Sequence, residues 1–547
     1  MGYRRHRAGR EEELALPGGW AFTQHSHPFS RTGLSWTCGV LFFLALTASA
    51  CTKAPPVGKA DPLELSIGVA EGNVLESGLG APQLASMLAL EGLTQIDADG
   101  RVLPRLAARW EWENDQRRLR VFLRPDVQFH DGTRLTAAVA ARILKIIVDN
   151  PNSPRLYPSL AFVESVAAEG DFQLVFNLTD RSAFLPEDLS VLLKLDNNDV
   201  GTGPYRITKR ERSEVVLERF DTYHSGIPAI RRVVIRPFDT LRTTWTSLLR
   251  GDVDMVTDVP PNSVEFVRSD DIQVVAWQRW YQYMLLFNSR RPPFKSPAVR
   301  RALNLAVDRT ALIERVLNGD GTPAIGPLWP KYWAYDPSAS TASSYDPAQA
   351  EALLDGAGFR MPARSTSAGL PPARLRFTCL VPERFSIWER IALEVQKSLF
   401  NIGVDMQVKV VPFGEFNTLL GEGRFSEGGF DAAIVDMISG PTPGRAYIFW
   451  RSAEDFQGAN VFGYENADAE RMFHVLRTNT NEAAVRTATG RLQRIFSEDP
   501  PALFLAWNER ARAVRRTFTV HQDAGRDPLT TLWRWTPESL MQRASTQ

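Results

Sequence analysis

Cysteine is scarce in this chain, because only Cys38, Cys51 and Cys379 occur among its 547 residues. The first two fall in or beside an apolar N-terminal run, so the body of the chain keeps Cys379 alone and cannot form an intramolecular disulfide. Cys379 lies in an apolar, β-branched stretch from Leu375 to Val381, which predicts a buried core thiol rather than a nucleophile. A disulfide framework and thiol catalysis are therefore excluded as readings of this sequence.

Net charge and catalytic signatures are also missing. The 63 Lys and Arg residues balance the 63 Asp and Glu residues, so no basic surplus points to nucleic acid. The chain has no GxSxG, HExxH, paired CxxC or Walker sequence, which are short signatures of hydrolase, metal, redox and nucleotide sites. Asp252 and Asp254 stand close together, but their setting after Gly251 predicts a turn and a strand edge rather than a metal pair. We predict a protein that is not an enzyme and uses no metal or cofactor.

A long apolar run is present at the N-terminus. Residues 33–50 read GLSWTCGVLFFLALTASA, follow Arg31 and end in small residues directly before Cys51. This pattern predicts a signal peptide over residues 1–50. The mixed charge of its first part indicates either an extended n-region or a start codon placed too far upstream.

The end of this run resembles a bacterial lipobox. It reads Ala48-Ser49-Ala50-Cys51, and the resemblance implies that Cys51 becomes the lipidated first residue of the exported protein. An ordinary signal peptide cut after Ala50 and an uncleaved N-terminal anchor are the alternatives. Residues 51–60 are polar and contain Pro and Gly, which predicts a tether between the lipid and the folded body.

Residues 91–136 form the most informative stretch, EGLTQIDADGRVLPRLAARWEWENDQRRLRVFLRPDVQFHDGTRLT. The Asp/Gly signals at Asp97–Gly100 and His130–Thr133 predict tight turns between β-elements. Thr136 is a suitable N-cap for a helix that begins at Ala137. The stretch therefore predicts several strands followed by a helix.

The same order of residues resembles the oligopeptide- and dipeptide-binding proteins that feed ABC importers, together with their nickel-binding relatives. That family reads EGL, a polar turn with DG, P-x-LA-x-W, FxLR and V-x-FHDGTxLTA near its start. The segments Gly201–Tyr205, GTGPY, and Ser296–Val316, SPAVRRALNLAVDRTALIERV, match further landmarks of the family. Independently of the resemblance, strands at 375–381 and 404–411 around a helix at 387–399 predict a βαβ unit and a parallel sheet.

The resemblance implies an α/β, two-lobed periplasmic-binding-protein fold of type II, with an extra subdomain inserted in the first lobe. A length of 547 residues also exceeds what one hydrophobic core supports. We place a hinge where the strand Tyr283–Phe287 enters a Pro-rich crossing. The expected division is lobe I over 61–90, 200–285 and 500–540, the extra subdomain over 91–199, and lobe II over 286–499.

Ligand binding in this family implies polar anchors among aromatic walls at an interlobe cleft. Peptide-binding relatives carry YDxxLxGWxxDYxDP, whose later Asp offers a carboxylate to a peptide's α-ammonium group. Here the matching segment runs from Phe430 to Pro441 and has Ser439-Gly440-Pro441 at that place, so a free-amine anchor depends on Asp436. The candidate ligand-binding residues are Thr94, Trp280, Tyr281, Tyr283, Asp436, Met437, Arg445, Tyr447 and Trp450, some of which core packing would explain equally well.

The sequence therefore predicts an extracytoplasmic, lipid-anchored and monomeric solute-binding protein. It would capture a peptide or another small polar solute and deliver it to the permease subunits of an ABC importer. A ligand-sensing protein that signals to a membrane receptor is one alternative, and genes for a permease and an ATPase or for a receptor kinase beside this one would discriminate the two. An exported peptide hydrolase is the other, and it predicts turnover of peptides by the purified protein.

Overall fold

The computed structural model describes residues 63–71, 80–196, 199–260, 263–339, 344–363, 371–383, 385–421, 431–452, 460 and 462–540. The predicted signal peptide (1–50), the predicted tether (51–60) and the predicted lipidation site Cys51 lie outside these residues. Within the described ranges, no helix is long and apolar enough to span a bilayer.

The helices are short to medium in length. They are α1 (Ala81–Ala89), α2 (Ala137–Asp149), α3 (Leu185–Asp188), α4 (Leu241–Arg250), α5 (Val264–Val267), α6 (Pro292–Lys295), α7 (Pro297–Leu305), α8 (Arg309–Leu317), α9 (Pro347–Gly356), α10 (Ser386–Phe400), α11 (Phe413–Gly421), α12 (Pro443–Trp450), α13 (Ala467–Thr478) and α14 (Glu482–Glu498).

The strands include two that are much longer than the rest, β12 and β17. The full set is β1 (Glu64–Ala70), β2 (Thr94–Ile96), β3 (Val102–Pro104), β4 (Ala107–Glu113), β5 (Arg118–Leu123), β6 (Val163–Ala168), β7 (Gln173–Leu178), β8 (Tyr205–Arg210), β9 (Val215–Arg219), β10 (Arg232–Phe238), β11 (Met255–Val259), β12 (Ile272–Phe287), β13 (Gly321–Pro323), β14 (Leu375–Pro382), β15 (Val404–Val411), β16 (Ala432–Ile438), β17 (Ala502–Arg515), β18 (Phe518–Thr519) and β19 (Thr536–Pro537).

Side-chain caps begin several of the predicted helices. Thr136, Asp308 and Asp346 each accept a hydrogen bond from the backbone N–H three residues later, at 3.3, 3.0 and 2.8 Å. These bonds satisfy backbone donors that the first turn of a helix leaves without a partner. The predicted start of α2 after Thr136 is confirmed.

The predicted strand-rich stretch forms two separate sheets. β2 and β3 make an antiparallel hairpin whose turn contains Gly100 at φ +80°. β4 and β5 pair antiparallel and belong to a four-stranded sheet with the order β4-β5-β7-β6. Buried side chains from this sheet and from α2 pack into an apolar cluster of their own, between Leu93 and Leu195.

A single large sheet carries the rest of the fold. Its strand order is β15-β14-β16-β12-β17-β11-β1-β10-β9-β8, with β13 added to β17. β14 is parallel to both β15 and β16, which confirms the predicted βαβ unit with α10 as its crossover helix. β1 is likewise parallel to β10 and β11.

The antiparallel pair β12 and β17 joins the two halves of this sheet. The first part of β12 pairs with β17, and its last part, Tyr281–Phe287, also pairs with β16. The predicted strand Tyr283–Phe287 is therefore only the end of a strand of 16 residues. The β12–β17 register shifts between Gln278 and Gln282, and such an irregularity changes the direction of the side chains there. We call this part of the β12–β17 pair, between the two halves of the sheet, the crossing of β12 and β17.

Two further apolar clusters flank the crossing. The larger draws on β12 from Tyr283 onward, β14 to β16 and the helices from α7 to α14. The other draws on β1, α1, β9 and β10. The limits that we gave for the two lobes and the extra subdomain stay a prediction.

Candidate functional site

Two cavities lie beside the crossing of β12 and β17, and residues from both halves of the large sheet line each of them. The larger has a volume of about 410 Å³ and the smaller about 230 Å³. Cavities of a few hundred cubic ångströms are the ordinary size of small-ligand sites. A third cavity of about 340 Å³ lies between α1 and α2 and is walled only by residues between Pro82 and Arg210, so the two halves of the large sheet do not meet there.

The larger cavity is lined by several stretches of chain that are distant in sequence, four of which supply most of its residues. The crossing part of β12 supplies Trp277 to Tyr281, and the loop after β16 supplies Gly440 and Pro441. α1 contributes Gln83 and Met87, and the C-terminal stretch contributes Arg526, Asp527 and Thr530. The lining thus combines aromatic rings with charged groups.

The loop after β16 is tied to the crossing by its backbone. The Trp280 carbonyl accepts hydrogen bonds from the N–H groups of Ser439, at 2.8 Å, and Gly440, at 3.1 Å. Gly440 has φ +60°, and a Cβ atom there would lie 2.5 Å from Cγ of Arg445. A side chain at position 440 would therefore be strained and would displace Arg445.

Arg445 and Arg526 both line the larger cavity, and neither has a carboxylate partner among the described residues. Arg445 Nη1 donates to the carbonyl of Leu156 at 2.5 Å. The guanidinium of Arg526 makes no hydrogen bond or ion pair within the described ranges. Burial lowers the pKa of Arg526, but a guanidinium keeps its charge at neutral pH.

A third arginine at the crossing is neutralised. Arg279 Nη1 lies 3.4 Å from Oδ2 of Asp436, and that oxygen also accepts from Nδ2 of Asn508 at 3.2 Å. Asn508 Nδ2 lies 3.2 Å from the hydroxyl oxygen of Tyr283, and the Arg279 guanidinium stacks 3.7 Å from the ring centre of Tyr281. Burial raises the pKa of Asp436, while Arg279 and Arg510 oppose that rise.

The acids near the larger cavity are engaged with other groups of the protein. Glu187 lines it and accepts a hydrogen bond from the Thr442 hydroxyl, and burial raises the pKa of Glu187. Burial, reinforced by the neighbouring Glu187, also raises the pKa of Asp188. Asp527 accepts hydrogen bonds from Nε and Nη2 of Arg512, at 2.7 and 2.5 Å. Three arginines, Arg279, Arg445 and Arg526, and two acids, Glu187 and Asp527, line the cavity, so positive groups outnumber negative groups there.

Four of the nine predicted site residues line the two cavities. Trp280, Tyr281 and Arg445 line the larger one, and Tyr283 lines the smaller one. Asp436 lines neither, because it is buried inside the network with Arg279. The free-amine anchor that we assigned to Asp436 would therefore require that network to open.

The remaining predicted residues lie outside both cavities and have other contacts. The Thr94 hydroxyl donates to the Pro186 carbonyl at 2.6 Å, and Arg451 donates to the Tyr447 hydroxyl at 2.6 Å. Trp450 is buried among aromatic rings, and Met437 packs against the same core. A role of these four residues in binding stays a prediction.

Several residues that line the larger cavity are not among the predicted site residues. Trp277 could have been found from its place beside Trp280 in one aromatic-rich strand. Gln83, Met87, Arg526 and Thr530 lie in unremarkable helix and turn sequences. Among the described residues, no three His, Cys, Asp or Glu side chains gather as a metal site.

Comparison with known proteins identifies what this architecture is similar to. The family model of bacterial extracellular solute-binding proteins, family 5 Middle, matches residues 101–457. The oligopeptide-binding protein AppA of Bacillus subtilis is 22% identical over 76% of this chain and 80% of its own length. The glutathione-binding protein GsiB of Pectobacterium atrosepticum is 26% identical over 78% of this chain and 85% of its own length.

A solved structure supports the same fold. NikZ from Campylobacter jejuni, in complex with Ni(L-His), superposes with a TM-score of 0.70 at 20% identity, over 87% of this chain and all of that one. The predicted two-lobed α/β fold with its extra subdomain is confirmed.

Proposed function

Because this chain belongs to the family 5 bacterial extracellular solute-binding proteins, we propose that it captures a peptide or another small polar solute in the larger cavity and delivers it to an ABC importer. It is an extracytoplasmic binding protein and not an enzyme. The names of the relatives AppA and GsiB, which bind oligopeptides and glutathione, support a peptide-like solute.

The observation that carries this proposal is the position of the larger cavity. It lies at the crossing of β12 and β17, and groups from α1, from the loop after β16 and from the C-terminal stretch line it together. A solute bound there contacts both lobes, so its binding free energy favours the closed arrangement. Closure makes occupancy readable to a membrane partner.

Mass spectrometry of the exported protein, purified without denaturant, tests the proposal. We expect one intact small solute per protein molecule. Its mass should stay unchanged after prolonged incubation at about 37 °C, a temperature below the usual melting range of folded domains. Cleavage products would support the hydrolase alternative instead. A protein that carries no solute and binds none from a peptide and solute panel in calorimetry would contradict the proposal.

We also propose that Cys51 carries the lipid anchor. The support is its place directly after a small-residue cleavage pattern, before a polar tether. We expect Cys51→Ala to move the protein from the membrane fraction to the soluble extracytoplasmic fraction. The matched control, Cys379→Ala, changes a buried core thiol and should leave the protein in the membrane fraction. Equal membrane retention of both variants would contradict a lipid anchor at Cys51.

A further inference from the structure

The larger cavity combines cations that have no carboxylate partner with acids that are already engaged. Arg445 and Arg526 are the cations, and Asp527 and Glu187 are the acids on its wall. An unpaired charge in a partly desolvated place loses hydration without replacement, which costs free energy unless a counter-charge arrives. This imbalance indicates what the solute must supply.

Arg526 is presented to the cavity by a tight turn. Its backbone N–H donates to the Asp523 carbonyl at 3.0 Å, and the preceding Gly525 has φ +74°. The charges of Asp523, Asp97 and Asp527 oppose the lowering of the Arg526 pKa by burial, but none of them forms an ion pair with its guanidinium, and both carboxylate oxygens of Asp527 are held by Arg512. The side chain of Arg526 is therefore positioned by the backbone while its guanidinium stays available.

Arg445 occupies space that Gly440 leaves open. A Cβ atom at position 440 would reach 2.5 Å from Cγ of Arg445, so any acidic side chain there would have to displace the arginine. The Arg445 guanidinium makes one hydrogen bond, to the Leu156 carbonyl, and keeps further donors. The position of Arg445 in the cavity therefore depends on glycine, which has no side chain, at position 440.

Trp277 adds a neutral donor to the same wall. Its indole nitrogen is buried and has no hydrogen-bond acceptor within the described ranges. Buried donors without acceptors are rare in folded proteins. A carboxylate can accept from an indole N–H and a guanidinium together, since it has about four lone-pair sites.

We propose that the larger cavity selects solutes that carry a carboxylate, and that Arg526 and the indole N–H of Trp277 bind this carboxylate while Trp280 and Tyr281 contact the apolar part. Arg445 supplies a second positive charge that has no carboxylate partner among the described residues. The inference rests on the proposed function, and it adds that a solute with only cationic or neutral polar ends is rejected.

Solute identity and charge removal test this inference together. The probes are the solute that the wild type releases on unfolding, the methyl ester of that solute, and Ala-Ala-Phe with and without a C-terminal methyl ester. Titration calorimetry compares the wild type with Arg526→Gln and Arg526→Lys. The matched control is Arg268→Gln, an exposed arginine that pairs with Glu265 at 3.3 Å, away from the cavity.

We expect the released solute to contain a carboxylate and its esterification to weaken binding to the wild type by about tenfold to a hundredfold. Arg526→Gln should lose a similar factor toward the acid and almost nothing further toward the ester. Arg526→Lys should recover part of the loss, and Arg268→Gln should bind as the wild type does.

A released solute without an acid group, or equal affinity of wild type and Arg526→Gln for the acid, overturns the inference while the proposed function stands. A wild type that releases no solute and binds no probe contradicts the proposed function instead. The two failures are therefore distinguishable in one set of measurements.

Discussion

Arginines near the crossing of β12 and β17 are used in two different ways. Arg279 is buried and paired with Asp436, beside Asn508. Arg445 and Arg526 line the larger cavity and have no carboxylate partner among the described residues. The difference teaches that the same charged group serves stability in one place and recognition in the other, according to whether the chain itself supplies the counter-charge.

Removing the counter-charge of Arg279 should give the largest effect on stability. Asp436→Ala leaves a buried guanidinium without its carboxylate, which we expect to lower the free energy of unfolding by about 3 to 5 kcal/mol. Arg526→Ala removes a charge with no internal partner and should change it by less than about 0.5 kcal/mol. Urea unfolding measures the free energy of unfolding of both variants. An equal decrease in the two would contradict the distinction between a paired and an unpaired arginine.

Obstructing the larger cavity should give the largest effect on binding. Thr530 lines this cavity from the short 3-10 helix Pro528–Arg534, and Thr530→Trp should weaken solute binding at least about a hundredfold, or 2.7 kcal/mol, because the indole fills the site. Ser386 lines the smaller cavity, so Ser386→Trp is the matched control and should bind normally. Calorimetry with the released solute checks both variants. Loss of binding in Ser386→Trp alone would show that the solute occupies the smaller cavity and would contradict the proposed site.

A smaller effect on stability is expected at Gly440. Gly440→Ala places a Cβ atom against Arg445 at a positive φ, which should cost about 1 to 2 kcal/mol. At Gly414 in α11 no atom lies within 4 Å of an added Cβ, so Gly414→Ala should be neutral or stabilise by up to about 1 kcal/mol. Thermal unfolding that shows the same change for both variants would contradict the account of Arg445.

The smallest effect is a pH dependence from Glu187. Its pKa is raised mainly by burial, with Thr442 and Arg445 opposing the rise and Asp188 and Tyr332 also nearby. A carboxyl whose folded pKa is raised contributes stability that is complete below its ordinary pKa of about 4.3 and is lost as pH rises through the folded pKa.

Glu187→Gln removes this titration. We therefore expect the melting temperature of the wild type to fall relative to Glu187→Gln as pH rises from about 5 to about 8. Glu113→Gln is the control, because hydrogen bonding to Arg120 lowers the pKa of Glu113 and its effect is confined to more acidic pH. A difference between the two proteins that stays constant over this pH range would contradict a raised pKa of Glu187.

Local structure could be predicted from the sequence because local chemistry determines it. Thr136, Asp308 and Asp346 cap helices as their side chains predict, and the βαβ unit follows from the alternation of apolar residues. β12 was predicted only from Tyr283 because its first part alternates poorly. That part lies at the crossing, where both faces are partly covered and several polar residues line a cavity.

The site was harder to predict because its walls come from distant parts of the chain. Trp280, Tyr281 and Arg445 were found through aromatic and cationic residue types, yet Tyr447 and Trp450 have the same types and are buried in the core. α12 turns these two rings inward, a choice that tertiary packing makes. Arg526 stands in a turn with no distinguishing sequence, and only the fold brings it to the same cavity as α1.

A crystal structure of the protein with the solute that it retains through purification tests the central claim most directly. We expect density in the larger cavity, with a carboxylate within hydrogen-bond distance of the Arg526 guanidinium and the apolar part against Trp280 and Tyr281. Density confined to the smaller cavity, or a solute whose neutral or cationic end faces Arg526, would contradict it.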